Sequence, residues 1–406
     1  MKKKILGLVI ATNDLRKNFY IHKDVYNEIS KNFNNFYIIN FYYLKFFNKK
    51  KKILTNFLPK NFKIFTPKSK SDLYKFFSDK EMIAFNALGK DLEYFYILRL
   101  IKKLNIKLML LQNLGDIGNT KIIKIKNIKS YFFKFRYILN YLIFRIFVFI
   151  NFFPTIELYF ESKKDIVKSC EDNKFKKKME SIFPFFKFYY FRKTILINSR
   201  SFDELINHKN RLSEENIVFL DTGFFSNDRI IREGKVSKET AKKYFFLLKK
   251  FLRSLSKLFK KKIVICLHPS SSINKYKNNL REFIIVKYRT REYIKKAFIV
   301  IFHESSSVID AIFLKKKIIM LSSETMGSYL SEKISSYKKK IKLYLYNLDK
   351  QKTINKKKLL IDLNKRKYNK FIRENINSNK ETPGRITIIE EINKFFVNQK
   401  KYTDNY

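Results

Sequence analysis

The stretch Phe298–Leu321, FIVIFHESSSVIDAIFLKKKIIML, decides how the rest of the chain is read. Phe298–Phe302 is short, wholly apolar and rich in β-branched and aromatic residues, the pattern of a buried strand. His303-Glu304-Ser305-Ser306-Ser307 interrupts it with capping residues, Ser307–Leu314 carries apolar side chains at helical spacing, and Lys317–Leu321 returns to a strand. Strand, loop, helix and strand in so short a span predict two parallel strands joined by a right-handed crossover.

The same rhythm extends in both directions. Upstream lie strand Ile217–Leu220, helix Lys238–Phe259, strands Lys262–Leu267 and Phe283–Lys287, and helix Arg291–Lys296. The N-terminal half repeats it, with strands at Lys4–Ala11, Asn35–Tyr43, Lys63–Phe65, Met82–Asn86, Ile106–Gln112 and Thr194–Asn198 between helical stretches at Asn18–Asn32, Ser71–Phe77 and Asp91–Leu104. Alternation of this kind predicts an α/β protein with two Rossmann-like domains. The polar run His208–Asn216 is the expected linker. It gives domains at 1–209 and 216–350, then a helical tail at 351–406 whose last helix follows the turn residues Thr382-Pro383-Gly384.

Ser130–Phe153 stands apart. It is strongly apolar, yet its best run, Tyr137–Phe153, is short for a membrane span and broken by Asn140, Arg145 and Asn151. It reads first as a helix packed on the N-terminal domain, with docking on a membrane surface as the alternative and a true span third.

Composition bounds the function. The 406 residues are 45% apolar, enough for large cores, and the two cysteines, Cys170 and Cys266, make neither a disulfide framework nor a metal spacing, which favours a reducing compartment. No secretory signal is read at the start, because the Ile5–Ala11 run is short and Asn13 and Asp14 follow it. A formal charge of +51 suggests nucleic acid. Phe, Tyr, Ile, Asn and Lys are all abundant, however, while Gly, Pro and Trp number 8, 6 and 0, the composition an A/T-rich genome would produce. The basicity is spread along the chain, so it reads as a solvated surface suited to anionic partners. The few glycines include no Gly-x-Gly-x-x-Gly fingerprint and no P-loop, which argues against a dinucleotide oxidoreductase or an NTPase.

In parallel α/β sheets ligands bind beyond the carboxyl ends of strands. Three such loops are chemically unusual: Asp221-Thr222-Gly223, His268-Pro269-Ser270, and His303 through Ser307. Two of the chain's 4 histidines fall in this position. Ser305, Ser306 and Ser307 at a helix start offer hydroxyls and backbone N–H groups to a phosphate, or simply cap the helix. His268 offers a proton or hydrogen bond to a leaving group, and His303 either shares that task or caps the helix. Asp221 is a base candidate or a turn former, with Gly223 beside it. Three signals on one sheet edge point to one anion-binding cleft. No Asp-x-Asp motif or His/Cys/carboxylate spacing suggests a metal, so none is expected, nor any cofactor beyond a nucleotide-sugar donor as co-substrate.

These residues resemble bacterial GT-B glycosyltransferases that use CMP-activated acidic sugars: sialyltransferases, polysialyltransferases and related capsule and lipooligosaccharide enzymes. His268-Pro269 matches their His-Pro motif, Ser305-Ser306 their hydroxyl pair, and Asp221-Thr222-Gly223 their acidic-acidic-Gly motif, with Thr222 where a second acidic residue stands. The resemblance implies two domains facing across a cleft, His268 as general acid at the CMP phosphate, Ser305 and Ser306 holding that phosphate, and Asp221 as the base that activates the acceptor. Pro269, Ser270, His303, Glu304, Ser307 and Gly223 complete the expected nucleotide-binding set. The stretch from His303-Glu304 through Leu321 also looks like glycerophosphotransferases that use CDP-glycerol. The implied activity is transfer of a sialic acid- or Kdo-like sugar to a glycan or glycolipid in surface-polysaccharide synthesis, at the cytoplasmic face of a membrane. Glycerophosphotransfer is the chemical alternative, and a non-enzymatic basic protein binding nucleic acid or lipid is the alternative from another class.

Overall fold

The computed structural model describes most of residues 3–112, 139–171, 191–206, 214–223, 236–376 and 381–403. The chain forms two compact units, each an α/β layer structure built on one sheet.

The first unit holds a seven-stranded sheet in the order β3-β2-β1-β4-β5-β6-β7. Its strands are β1 (Lys3–Ile10), β2 (Phe36–Asn40), β3 (Phe62–Phe65), β4 (Lys80–Asn86), β5 (Lys107–Gln112), β6 (Ile156–Glu161) and β7 (Phe191–Leu196). Every pairing is parallel, as the alternating pattern predicts. Helices α1 (Lys23–Asn32), α2 (Lys70–Phe77) and α3 (Phe95–Lys103) supply crossovers. Residues 142–149 form α4, with 139 and 140 helical ahead of it, and α5 (Lys164–Glu171) follows β6. Phe144, Val148 and Phe153 are buried in the same core as Ile97 and Ile101 of α3, so this part of the 130–153 segment packs on the sheet.

The second unit holds a six-stranded, wholly parallel sheet in the order β10-β9-β8-β11-β12-β13. These are β8 (Asn216–Leu220), β9 (Lys262–Leu267), β10 (Ile284–Lys287), β11 (Ala297–Phe302), β12 (Lys317–Ser322) and β13 (Tyr344–Asn347). Helices α6 (Arg200–Leu205), α7 (Lys238–Phe259), α8 (Ile273–Leu280), α9 (Thr290–Lys295), α10 (Val308–Phe313), α11 (Gly327–Ile341) and α12 (Lys365–Asn375) cover both faces. The period-two rule of a strand divides the core cleanly. Ile217, Phe219, Ile263, Ile265, Ile299 and Ile301 pack with α7 and α8 on one face. Val218, Leu220, Val264, Cys266, Val300 and Phe302 pack with α6, α9, α10 and α12 on the other.

The domain limits read from the sequence differ from the units. Ser199–Leu205 joins the second unit, where Phe202 enters the core, and α12 joins it through Tyr368 and Phe371. The final helix, α13 (Gly384–Thr403), returns to the first unit and buries Ile388, Ile389 and Ile392 against its sheet. A tail with apolar positions at helical spacing is buried wherever a sheet face is uncovered. Gly384 permits that return, since a Cβ there would stand 2.2 Å from the carbonyl oxygen of Asn198. The expected linker at 208–216 lies outside the described residues up to 213.

Candidate functional site

The three loops singled out by sequence come together at one sheet edge. β8 is the first strand of its unit, and the chain builds β9 and β10 on one side of it before returning to place β11 on the other. That reversal is a topological switch point, where open parallel sheets bind ligands. Leu220 pairs with both Cys266 and Phe302, so Asp221, His268 and His303 leave the sheet at nearly the same height. The flanking loops, two strand spacings apart, stand about 10 Å from each other at the backbone.

Asp221 is 2% exposed and organises two of the loops. Gly223 has a φ of 69°, a left-handed conformation that glycine adopts without a Cβ clash, and its N–H donates to Asp221 Oδ1 at 3.0 Å. The His268 N–H donates to Oδ2 at 3.0 Å, the Ser271 hydroxyl to Oδ2 at 2.5 Å, and the Tyr276 hydroxyl to Oδ1. Two donors on each oxygen fill the roughly four acceptor positions of a carboxylate. Burial, and then the neighbouring Asp221 charge, push the Tyr276 hydroxyl well above its ordinary range, which keeps it a donor. The carboxylate expected to act as a base is thus tied off by its own loops.

His268 is half-buried at the end of β9. Pro269 fixes the turn that follows, closed by the Ser271 N–H donating to the His268 carbonyl at 2.9 Å. The Ser270 N–H donates to His268 Nδ1 at 3.2 Å, and Ser270 Oγ lies 2.6 Å from the same atom. A backbone N–H only donates, so Nδ1 is the acceptor and the proton of the neutral ring resides on Nε2. In the neutral ring His268 is therefore set as a hydrogen-bond donor through Nε2. Lys287, at the end of β10, donates to the Ser271 carbonyl at 3.0 Å and brings a cation to this edge.

His303 departs from expectation. It is 0% exposed, its Nδ1 donates to the Leu321 carbonyl at 3.0 Å, and Nε2 lies 3.1 Å from the Tyr244 hydroxyl, which then donates to it. Both nitrogens are engaged inside the core between Phe219 and Tyr244, so its place is structural and the accessible histidine of the pair is His268. Glu304 beside it is paired with Lys333 at 2.8 Å.

The serine loop is also more closed than a helix start suggests. Val308, Ile309 and Asp310 donate to the carbonyls of Ser305, Ser306 and Ser307, each at 3.2 Å, and Ser307 N–H donates to Ser305 Oγ at 3.3 Å. This i to i+3 pattern is a 3₁₀-like onset to the six-residue α10 and engages the N–H groups of Ser307 through Asp310, so that of the three serine N–H groups expected to face a phosphate Ser307's is taken up within the loop. The loop also carries three hydroxyls, with Ser306 exposed and Ser305 and Ser307 half-buried. Asp310 holds the helix from behind, accepting from Ser201 Oγ at 2.5 Å and from Arg291 Nε at 2.9 Å. Sequence reading places Ser271 in the His268 loop without a role and does not find Tyr276, Tyr244, Lys287 or the Arg291–Asp310 pair, because nothing in an amphipathic helix or a serine run marks which member turns toward a strand end. Among the described residues no group of three His, Cys, Asp or Glu side chains converges as a metal site requires.

No family model matches the sequence, and no curated protein matches it either. The fold is similar to that of the wall teichoic acid polymerase TagF, at 14% identity and a TM-score of 0.54 over 97% of this chain and 90% of that one. A histidine-to-asparagine variant of the same polymerase soaked with CDPG aligns at 13% identity and a TM-score of 0.50, covering 97% and 89%. A putative UDP-N-acetylglucosamine 2-epimerase from Listeria monocytogenes aligns at 9% identity and 0.50, covering 98% and 97%. Likeness at these identities defines the fold: an α/β protein of two Rossmann-like units, in the GT-B-like class.

Proposed function

We propose that this chain is a nucleotide-dependent transferase of surface-polymer assembly that takes a cytidine-nucleotide donor at the carboxyl edge of its second sheet and expels CMP. The observation that carries the proposal is the convergence of Asp221, His268 and Ser305–Ser307 on adjacent strand ends at the switch point. A CDP-glycerol-type donor comes first, favoured by the fold likeness to a teichoic acid polymerase. A CMP-linked acidic sugar is the second donor, favoured by the His268-Pro269 and Ser305-Ser306 pairs. Both donors leave CMP behind. The acceptor hydroxyl oxygen bonds to the transferred phosphorus, or to the anomeric carbon of a sugar, as the bond to the CMP oxygen breaks; negative charge gathers on the departing phosphate, and the acceptor's proton leaves to that phosphate or to water.

His268 Nε2–H, the serine hydroxyls and the Lys287 ammonium are donors suited to that charge, and fixed donors need no reorganisation as it develops. Asp221 acts as a positioning residue: it holds the His268 turn and the Gly223 turn against the end of β8. The acceptor is a glycan or glycolipid hydroxyl, and transfer proceeds without a metal. Assays for CMP release from CDP-glycerol, CMP-sialic acid and CMP-Kdo, with and without EDTA, test this. Release from at least one cytidine donor, unaffected by EDTA and lost in His268→Ala, is expected; turnover solely with a UDP- or GDP-sugar overturns it.

A further inference from the structure

α4 is apolar on two faces. Phe144 and Val148 turn into the first unit's core, while Leu139, Leu142, Ile146, Phe149 and Ile150 are 42%, 53%, 57%, 37% and 38% exposed. At about 100° per residue Leu142, Ile146 and Phe149 of α4 fall within one arc of about 60° opposite the packed face, with Leu139 ahead of the helix and Ile150 just after it. They are five of the thirteen large apolar residues exposed among the described residues, so the exposure is concentrated on α4 and its two ends. Scattered exposed apolar side chains are ordinary, but a stripe of them is a contact surface.

Cations stand at one edge of the stripe and at its C-terminal end. Arg145 lies on its edge within α4, half-buried. At the helix end, the Arg99 guanidinium sits 3.5 Å from the Phe152 ring centroid and Lys102 Nζ donates to Asn151 Oδ1 at 2.9 Å. Tyr96, Arg99 and Lys103 share one face of α3, and Tyr96 is 39% exposed. An apolar stripe with Leu, Ile and Phe, bordered by Lys and Arg, matches the depth profile of a membrane interface, with hydrocarbon below and anionic headgroups at the rim. No helix among the described residues is long and apolar enough to cross a membrane.

We propose that the α4 stripe docks the first unit on an anionic phospholipid membrane, lying in the interface plane with Leu142 and Ile146 at its centre. The chain has no tryptophan, so Ile146→Trp introduces a single fluorophore on the stripe and Phe246→Trp one at a 67% exposed site on α7. Each full-length variant is mixed with phosphatidylcholine vesicles containing about a third phosphatidylglycerol, at low and at high salt. The expected result is a blue shift at position 146 that persists at high salt, none at 246, and a loss of vesicle partition of at least about tenfold in Leu142→Glu/Ile146→Glu at unchanged melting temperature. Equal responses at 146 and 246 overturn the proposal, because charge alone then carries adsorption. So does an unshifted 146, or an emission already blue without lipid, which means another part of this chain or a second copy covers the stripe.

Discussion

Among the described residues two buried carboxylates end strands, one in each unit, and they are built differently. Glu161 closes β6 and is 1% exposed; its oxygens accept from the Tyr159 hydroxyl at 2.5 Å and the Lys163 N–H at 3.0 Å. Burial outweighs those contacts and holds its carboxyl above the ordinary range. Asp221 closes β8 at 2% exposure but collects four donors, three from the loops after β8 and β9 and one from α8. One carboxylate is accommodated by its surroundings; the other sets the geometry of its surroundings. A strand-end acid is thus informative about function through what it holds, and Asp221 holds the turn that presents His268.

The contrast is sharpest at Asp221. Asp221→Ala strands four donors, three of them fixed inside the loops, and should lower the second unit's stability by about 3–5 kcal/mol in denaturant titrations. The milder Asp221→Asn separates positioning from base chemistry: turnover falls, yet the pH–rate profile keeps its ascending limb, whereas loss of that limb would make Asp221 the base. Next comes His268→Ala, expected to cut turnover about 10²–10³-fold with the melting temperature unchanged, as for other single charge-stabilising donors. Tyr276→Phe removes one of the four donors and should cost about 1–3 kcal/mol, with a smaller loss of turnover than His268→Ala.

The smallest effect belongs to Glu161. A carboxyl held above its ordinary pKa contributes stability that is full below the unfolded pKa and is lost as pH rises through the folded value, so at neutral pH its ionised form is a cost. Glu161→Gln should therefore raise the melting temperature near neutral pH, by about 1 kcal/mol or less of stability, and the gain should shrink on acidification. A gain that grew on acidification would reverse the assignment and make the two carboxylates alike.

Much of the fold was legible because parallel strands buried on both faces read as continuous apolar runs: NIVFL, KIVICL and AFIVIF needed no partner to be recognised. Two strands escaped. β6, IELYFE, carries a glutamate at each end of its apolar centre, and β13, YLYN, is only four residues long. The tail read as one piece at 351–406 is shared between the units, because which sheet a helix covers depends on contacts across nearly the whole chain, as Lys4 Nζ to the Phe396 carbonyl at 3.1 Å illustrates. At the site, the positions of the three loops followed from strand order, since loops at adjacent strand ends must meet. The orientation of each side chain did not: His303 and His268 occupy equivalent places after their strands, yet one turns under the sheet edge to Leu321 and Tyr244 while the other turns over it to Ser270. A single residue of register decides between them, and sequence carries no mark of it.

The central claim is that a cytidine nucleotide binds the loop set at the carboxyl ends of β8, β9 and β11. It is tested most directly by the melting temperature of the full chain against CMP, CDP-glycerol, UDP and GDP, in the wild type and in Ser305→Ala/Ser306→Ala. Selective binding to the folded state must stabilise it, by about 2.7 kcal/mol at a hundredfold excess over Kd. The account predicts a shift with CMP and CDP-glycerol, little with UDP or GDP, and its loss in the double variant. Equal shifts with all four nucleotides, or a cytidine shift that survives removal of both serines, would contradict it.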